Sequence, residues 1–198
     1  MTSKTKPTVS AAIDADNDIT SPLDFSYKCL AGIQDAMEEE PRAGPHKFIR
    51  VEKYDEAGNV KVKYKANSLR FCYNAISDLQ SFCSTLEHFL EDPSDLGWLD
   101  LSFNDISTID EVILQYPNIK ILYLHSNDIK KLSEIDKLAA LPELRKITLH
   151  GNPIEDLQGY RQYVISTLPR LKTLDFVAVT NQDRSDAMTW RELKSKKK

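Results

Sequence analysis

The sequence predicts an α/β fold in which a short strand and a short helix alternate along the chain and build a right-handed solenoid. Three observations predict it. One spacing of aliphatic residues and asparagine recurs, with Asn104, Asn127 and Asn152 lying 23 and 25 residues apart. Each helical stretch between them returns through a proline-bearing corner, which suits a helix exit. The sequence on either side of this region departs from the pattern, as the capping units of a solenoid must.

The recurring unit reads LxxLxLxxNxL, which is the leucine-rich repeat signature. Clear copies span Leu96–Ile106, Ile119–Ile129 and Leu144–Ile154. A degraded copy begins near Leu69, and a truncated last copy places Leu171, Leu174 and Phe176 at core positions. We therefore predict leucine-rich repeats over residues 68–178, forming about five rungs.

Strand alternation assigns a direction to each position of the repeat. It sends Leu99 and Leu101 inward, whereas Trp98 and Asp100 face the other side. Parallel strands joined by helical crossovers are expected to form a sheet on the concave face, with short helices on the convex face. The three repeat asparagines lie where the chain leaves the strand, so we expect them to form a buried ladder that satisfies backbone groups.

The flanking segments are predicted to be caps. Residues 22–67 are expected to hold a helix from about Ser26 to Glu40 and then a β-hairpin, which alternates around Ala57-Gly58-Asn59. Residues 179–198 are expected to hold a final helix and a basic tail. Thr180 and Asp183 have the spacing of a capping box, with Met188 and Trp190 closing the last rung. Residues 1–21 lack periodicity and are predicted to be a flexible arm.

Composition limits the choice of partner and compartment. The net charge is −4, but Arg191–Lys198 holds five basic residues and one acidic residue, which leaves −8 on the other 190 residues. An acidic body argues against nucleic acid as a partner. The three cysteines lie in no CxxC pair, and no apolar stretch suits a signal peptide or a membrane span, so a cytoplasmic protein without membrane contact is expected. The basic tail either attracts an acidic surface or merely aids solubility.

The search for catalytic chemistry yields one weak candidate. No phosphate-binding loop, dinucleotide fingerprint, zincin motif or nucleophile elbow is present, so we expect no enzyme activity, cofactor or small-molecule substrate. His125 and His150 occupy the same column of adjacent rungs, an arrangement that in principle seats a metal. The other residues of that column are poor zinc ligands, so contact with a partner protein is the preferred interpretation and no metal is predicted.

The concave face carries large apolar side chains at positions expected to face solvent, which typically marks a binding site for another protein. Two alternatives remain: the hairpin, the arm or a neighbouring side chain covers them, or Phe103 packs beneath the turn. The predicted partner-binding residues are Tyr73, Trp98, Asp100, Phe103, Ile121, Tyr123, His125, Lys146 and His150.

The repeats resemble those of about 22 residues that are shared by the protein phosphatase 1 regulatory subunit family and the leucine-rich outer-arm dynein light chain. Similar stretches begin at Pro22, Leu99, Leu122, Thr148 and Gly159, and the Glu-Glu-Pro-Arg segment outside the repeats is more particular than the repeats themselves. The resemblance implies a scaffold that binds axonemal or microtubule-associated proteins in the cytoplasm of ciliated cells. It leaves open a module that binds a phosphatase or a dynein component. The hairpin region and the lysine-ended tail depart from the family pattern.

Overall fold

The computed structural model describes residues 19–43, 48–54 and 57–196. The strands of these residues are β1 (Leu23–Asp24), β2 (Arg50–Tyr54), β3 (Val60–Tyr64), β4 (Ser68–Arg70), β5 (Trp98–Asp100), β6 (Ile121–Tyr123), β7 (Lys146–Thr148), β8 (Thr173–Leu174) and β9 (Val177–Ala178). The α-helices are α1 (Phe82–Phe89), α2 (Glu134–Lys137), α3 (Tyr160–Thr167) and α4 (Asn181–Ser195). Short 3-10 helices occur at Ile33–Glu38, Pro93–Asp95, Glu111–Gln115, Leu138–Ala140 and Pro153–Asp156.

The main sheet has the strand order β1-β4-β5-β6-β7-β8-β9. Every neighbouring pair from β1 to β8 is parallel, and only β9 joins in the antiparallel sense. Each parallel connection needs a crossover, and the helical segments between the strands supply it. The predicted α/β solenoid of leucine-rich repeats is therefore confirmed.

The interior is a continuous stack of aliphatic side chains. Leu101, Leu124 and Leu149 follow the central strands at equivalent positions, and each is at most 1% exposed. The backbone register pairs Leu99 with Leu122 and then Leu122 with Ile147, so the predicted repeat register is confirmed. Burying a leucine of this kind stabilises the folded state by about 1.5–3 kcal/mol relative to leaving it exposed.

The predicted asparagine ladder is also confirmed. Asn104, Asn127 and Asn152 are buried, and each side-chain amide donates to a carbonyl of its own rung and to one of the preceding rung at 2.8–3.0 Å. Each side-chain oxygen accepts the N–H of an isoleucine in the preceding turn. The asparagines thus satisfy backbone groups that the sharp turn would leave unpaired.

The N-terminal segment corrects the prediction of a helix from Ser26 to Glu40. Its helical part is the 3-10 turn at Ile33–Glu38, and Leu23 and Asp24 pair in parallel with Leu69 and Arg70. The stretch LDFSYKCL at residues 23–30 has the pattern of LDLSFNDI at residues 99–106, with lysine in place of asparagine. Because its apolar residues recur with the strand period, the segment forms a further rung.

The segment between β1 and β4 includes the predicted antiparallel hairpin. Strands β2 and β3 pair over five residues each, from Arg50 opposite Tyr64 to Tyr54 opposite Val60. A single parallel bridge joins Tyr64 to Leu90 beside the main sheet. Most side chains of the hairpin are exposed, so it contacts the solenoid chiefly through its base.

The C-terminal cap is the helix α4. The predicted capping box is confirmed, because Thr180 Oγ1 accepts from the N–H of Asp183 and the Asp183 carboxylate accepts from the N–H of Thr180. Met188 does not close the last rung as predicted, since it is 64% exposed; Ala187 is the buried residue of α4. A small residue at this position lets α4 approach α3 closely.

The longest helix of the described residues is α4, with 15 residues and a strongly polar sequence. Among residues 19–43, 48–54 and 57–196, none of the helices could serve as a membrane span.

Candidate protein-binding surface

The side chains on the concave face of the main sheet form two columns, because the parallel register aligns equivalent residues of successive strands. The first column holds Ser68, Trp98, Ile121, Lys146 and Thr173, and the second holds Asp24, Arg70, Asp100, Tyr123 and Thr148. Five of the predicted partner-binding residues therefore share one face of the sheet.

Two of these five residues are less accessible than predicted. Asp100 is 5% exposed, because its carboxylate accepts hydrogen bonds from the N–H and hydroxyl of Ser102 and lies 3.5 Å from Arg70 Nε. Ile121 is 7% exposed, and its register neighbours on either side are the longer side chains of Trp98 and Lys146. These two residues support the surface instead of projecting from it.

Three aromatic rings stack in a row where the first rungs leave their strands. The centroids of Tyr27 and Tyr73 are 4.4 Å apart and those of Tyr73 and Phe103 are 4.0 Å apart, with interplanar angles of 11° and 10°. We call Tyr27, Tyr73 and Phe103 the aromatic ladder. Its rings are 59, 41 and 36% exposed, so Phe103 lies at the surface and does not pack beneath the turn. Arg42 covers the outer face of Tyr27, with Cζ 5.6 Å from the ring centroid.

The backbone of the aromatic ladder is in the left-handed region, with φ of 58° at Tyr27, 57° at Tyr73 and 54° at Phe103. The equivalent positions of the next two rungs are occupied by Ser126 and Gly151, also at positive φ. A bulky residue in this region costs about 1–2 kcal/mol, whereas glycine adopts it freely. The fold therefore requires a left-handed turn in each rung, but it does not require an aromatic side chain there.

The row of rings continues across the sheet through the two histidines, although the contact between Phe103 and His125 is edge to face. The rings of His125 and His150 are parallel, with centroids 4.6 Å apart and an interplanar angle of 9°. The centroids of His125 and Phe103 are 5.2 Å apart. His125 Nδ1 lies 2.8 Å from Thr148 Oγ1, and His150 Nδ1 lies 3.3 Å from Asp175 Oδ1. Within the described residues, no group of three or more His, Cys, Asp or Glu side chains is arranged to hold a metal ion.

The environment of His125 favours its neutral form. Burial lowers the pKa of His125 below its usual value, and the neighbouring His150 lowers the pKa further, whereas the charges of Asp100 and Asp175 oppose the shift. The carboxylate of Asp175 is also held by Tyr160, whose hydroxyl donates to Asp175 Oδ2 at 2.8 Å. The neutral imidazole of His125 therefore presents a polar aromatic surface without a charge.

Phe176 corrects the prediction that it fills a core position. Strands β8 and β9 are joined by a two-residue turn in which Asp175 and Phe176 have φ of 52° and 62°. This turn points Phe176 away from the interior, so it is 60% exposed and lies 5.4–5.7 Å from the rings of Tyr123, His125 and His150. We call the aromatic ladder together with His125, His150 and Phe176 the aromatic strip.

Arg70 is a further residue of this surface that sequence reasoning missed. Its guanidinium lies 3.7 Å from Asp24 and 3.5 Å from Asp100, and Cζ is 5.2 Å from the ring centroid of Trp98. The buried N–H groups Arg70 Nε and Trp98 Nε1 donate no hydrogen bond to any residue in the described part of the chain. Alignment of the degraded repeat with the clear ones places Arg70 beside Asp100, which is the signal that could have identified it.

Cys72 lies in the same column as His125, and its side chain is buried, with 8% exposure. Burial raises the pKa of the Cys72 thiol to about 11. The thiol is therefore protonated at neutral pH and is a poor nucleophile.

The strand order, the repeated asparagines and the solvent-facing sheet define a solenoid of the leucine-rich repeat class. A family model described as "Leucine-rich repeat" matches residues 65–198, so the chain belongs to the leucine-rich repeat family. Among curated proteins, Leucine-rich repeat-containing protein 51 of Rattus norvegicus is 47% identical over 177 residues, covering 89% of this chain and 88% of the relative. The Homo sapiens protein of the same name is 45% identical over the same shares of both chains.

A solved structure with the same fold is the crystal structure of the Drosophila melanogaster SNF/U2A′ complex. The similarity has a TM-score of 0.53 and 21% sequence identity, and it covers 71% of this chain and 86% of that chain. Identity this low supports the shared fold alone.

Proposed function

We propose that this chain is a non-enzymatic scaffold that binds another protein through the aromatic strip and the neighbouring sheet residues. The observation that carries the proposal is the aromatic ladder. Tyr27, Tyr73 and Phe103 occupy backbone positions where large residues are costly, and they leave their ring edges exposed. Strained residues that persist at a surface are typical of functional sites, and exposed aromatic clusters are typical of protein interfaces.

The dimensions of the aromatic strip fit an amphipathic helix of the partner. The strip crosses six rungs, from Tyr27 in the first to Phe176 in the last. Five spacings between parallel strands amount to about 24 Å, which a helix of about 16 residues spans. The flat ring faces are occupied by one another, so the partner contacts ring edges, the Tyr hydroxyls and the exposed face of Phe176. Fixed rings of this kind lose little conformational entropy on binding.

The crystal structure of the SNF/U2A′ complex shows that a protein of this fold assembles with another protein, which supports a protein as partner here. We further propose that the assembly belongs to a ciliary or flagellar axoneme, on the strength of the resemblance to axonemal leucine-rich proteins. A module that regulates a phosphatase or binds a dynein component is the alternative. Localisation of the tagged protein in ciliated cells, together with pull-down of a phosphatase catalytic subunit, distinguishes these possibilities.

Photo-crosslinking tests the proposed binding surface directly. A photoreactive phenylalanine analogue at position 73 should crosslink a partner through an amphipathic helical segment, whereas the same analogue at Lys137, on the helical side of the solenoid, should not. The double variant Trp98→Ala with Tyr123→Ala should abolish capture of the crosslinked partner and leave the thermal transition nearly unchanged. Retained capture would contradict the proposed site, and loss of folding would mean that these rings belong to the core.

A further inference from the structure

A groove on the opposite side of the molecule is not used by the proposed function. It lies along the second half of α4, where this helix passes over α3 and the segment after α2, and it has a volume of about 680 Å³. We call it the α4 groove. Its apolar and aromatic wall is formed by Leu132, Ala139, Tyr163 and Trp190, and its basic rim is formed by Arg191 and Lys194.

The aromatic wall of the α4 groove is held rigidly. The indole of Trp190 lies against the backbone of Gly159 so closely that a Cβ atom there would be 2.7 Å from the ring. Tyr163 meets Trp190 edge to face with centroids 6.1 Å apart, and its hydroxyl donates to the carboxylate of Asp136 at 2.9 Å. Rigid aromatic surfaces that remain partly exposed are typical anchors for a partner side chain.

The rim of the α4 groove carries the basic end of an otherwise acidic chain. Arg191 and Lys194 are exposed on α4, and Lys194 Nζ lies 5.6 Å from the ring centroid of Trp190. The last eight residues hold five of the basic residues of the sequence, while the other 190 residues carry a net charge of −8. Cations in the last turn of a helix also complement its dipole, but that effect accounts for the charges and not for the aromatic wall beside them.

We propose that the α4 groove docks an acidic peptide segment of a partner protein. Carboxylates of the segment pair with Arg191 and Lys194, and an apolar side chain between them packs on Tyr163 and Trp190. The basic rim is narrow and the rest of the chain is acidic, whereas a polyanion such as RNA needs a basic footprint over a wide face. The groove shares no residue with the aromatic strip, so this inference stands independently of the proposed function.

Fluorescence of Trp190 reports occupation of the groove. The sequence has two tryptophans, so Trp98→Phe leaves Trp190 as the single emitter. The probe is a glutamate-rich peptide with a central leucine, and the same peptide with every glutamate changed to glutamine is its reference. We expect a saturable change in Trp190 emission with the glutamate peptide, weakened by added salt, and little change with the reference peptide.

Charge reversal locates the contact. Arg191→Glu with Lys194→Glu should weaken binding of the glutamate peptide by about tenfold or more, because two attractive pairs become repulsive. The matched control Lys53→Glu with Lys61→Glu makes the same change of net charge on the hairpin at the other end of the chain, and it should weaken binding by less than about twofold. Arg191 donates to the carbonyl of Ser166, so Lys194→Glu with Lys196→Glu is a second variant that spares this bond.

Three results would overturn the inference: no saturable change in Trp190 emission, equal weakening by the hairpin control, or an RNA oligomer that changes the emission as effectively as the glutamate peptide. Circular dichroism of each variant establishes that it is folded.

Discussion

The first three rungs and the next two place different side chains at the same backbone position. The left-handed residue after the strand is Tyr27, Tyr73 or Phe103 in the first group and Ser126 or Gly151 in the second. In the second group, the aromatic surface is carried by His125 and His150, one position earlier in the repeat. The interior is nevertheless similar in both groups, with buried leucine, isoleucine or phenylalanine on the inner side of the strand in each of these rungs.

This difference distinguishes the side chains that the fold requires from the side chains that only change the surface. Serine and glycine at this position in the other rungs show that the turn forms with small residues. The turn itself therefore does not require the aromatic rings of the first three rungs. Under the proposed function, these rings are kept because they contact a partner.

The largest effect is expected in the shared interior. Leu124→Ala empties a fully buried position of the stack, so it should lower the free energy of unfolding by about 2–5 kcal/mol. Leu101→Ala in the first group of rungs should cost a similar amount, because it occupies the equivalent position. Chemical denaturation measures both. A stability unchanged by either substitution would mean that the register of the repeats is wrong.

A much smaller effect on stability is expected in the aromatic ladder. Tyr73→Asn with Phe103→Asn removes stacking worth about 0.5–1.5 kcal/mol per ring pair. It also relieves left-handed strain of about 1–2 kcal/mol per residue, because asparagine tolerates this conformation better than a bulky side chain. The two contributions oppose each other, so the urea midpoint should stay nearly constant while capture of the partner is lost. A large loss of stability would instead make the ladder part of the core.

The smallest effect is a pH dependence confined to the histidine rungs. The folded state lowers the pKa of His125 below its ordinary value of 6.5, so the unfolded chain binds the proton more readily. The stability contributed by neutral His125 is therefore fully present above pH 6.5 and is lost as the pH falls through the folded-state pKa. His125→Phe should remove this part of the slope in denaturation measured between neutral and mildly acidic pH. An unchanged slope would show that other groups cause it.

The repeats could be predicted from the sequence because leucine spacing and the asparagine turn are local patterns. The hairpin followed from alternation for the same reason. The first rung was missed because Lys28 stands where the other rungs have asparagine, and because Tyr27, Leu30 and Ile33 also fit a helical period. In the structure, the side-chain amide of Asn74 donates to the carbonyl of Phe25 at 3.0 Å, so the neighbouring rung satisfies the carbonyl that an asparagine at position 28 would bind.

The composition of the candidate binding surface was only partly predictable, because exposure depends on neighbours in other strands. Asp100 and Ile121 have the correct direction, yet Arg70, Trp98 and other side chains beside them limit their access to solvent. The exposure of Phe176 depends on a tight turn that lacks the usual glycine or asparagine signal. The predicted flexible arm lies almost wholly outside the described residues and stays a prediction.

The first rung closes over a longer stretch of chain than the central ones. Leu23 pairs with Leu69, 46 residues away, whereas Leu99 pairs with Leu122, 23 residues away. Doubling a loop adds only about 0.6 kcal/mol to its closure entropy, so the native state tolerates the hairpin inserted there. Folding rate is more sensitive to such separation, because distant contacts must wait for closure. We therefore expect the central turns to assemble first and Tyr27 to join its ring to the others in a late step, which makes the edge of the binding surface the last part of the molecule to mature.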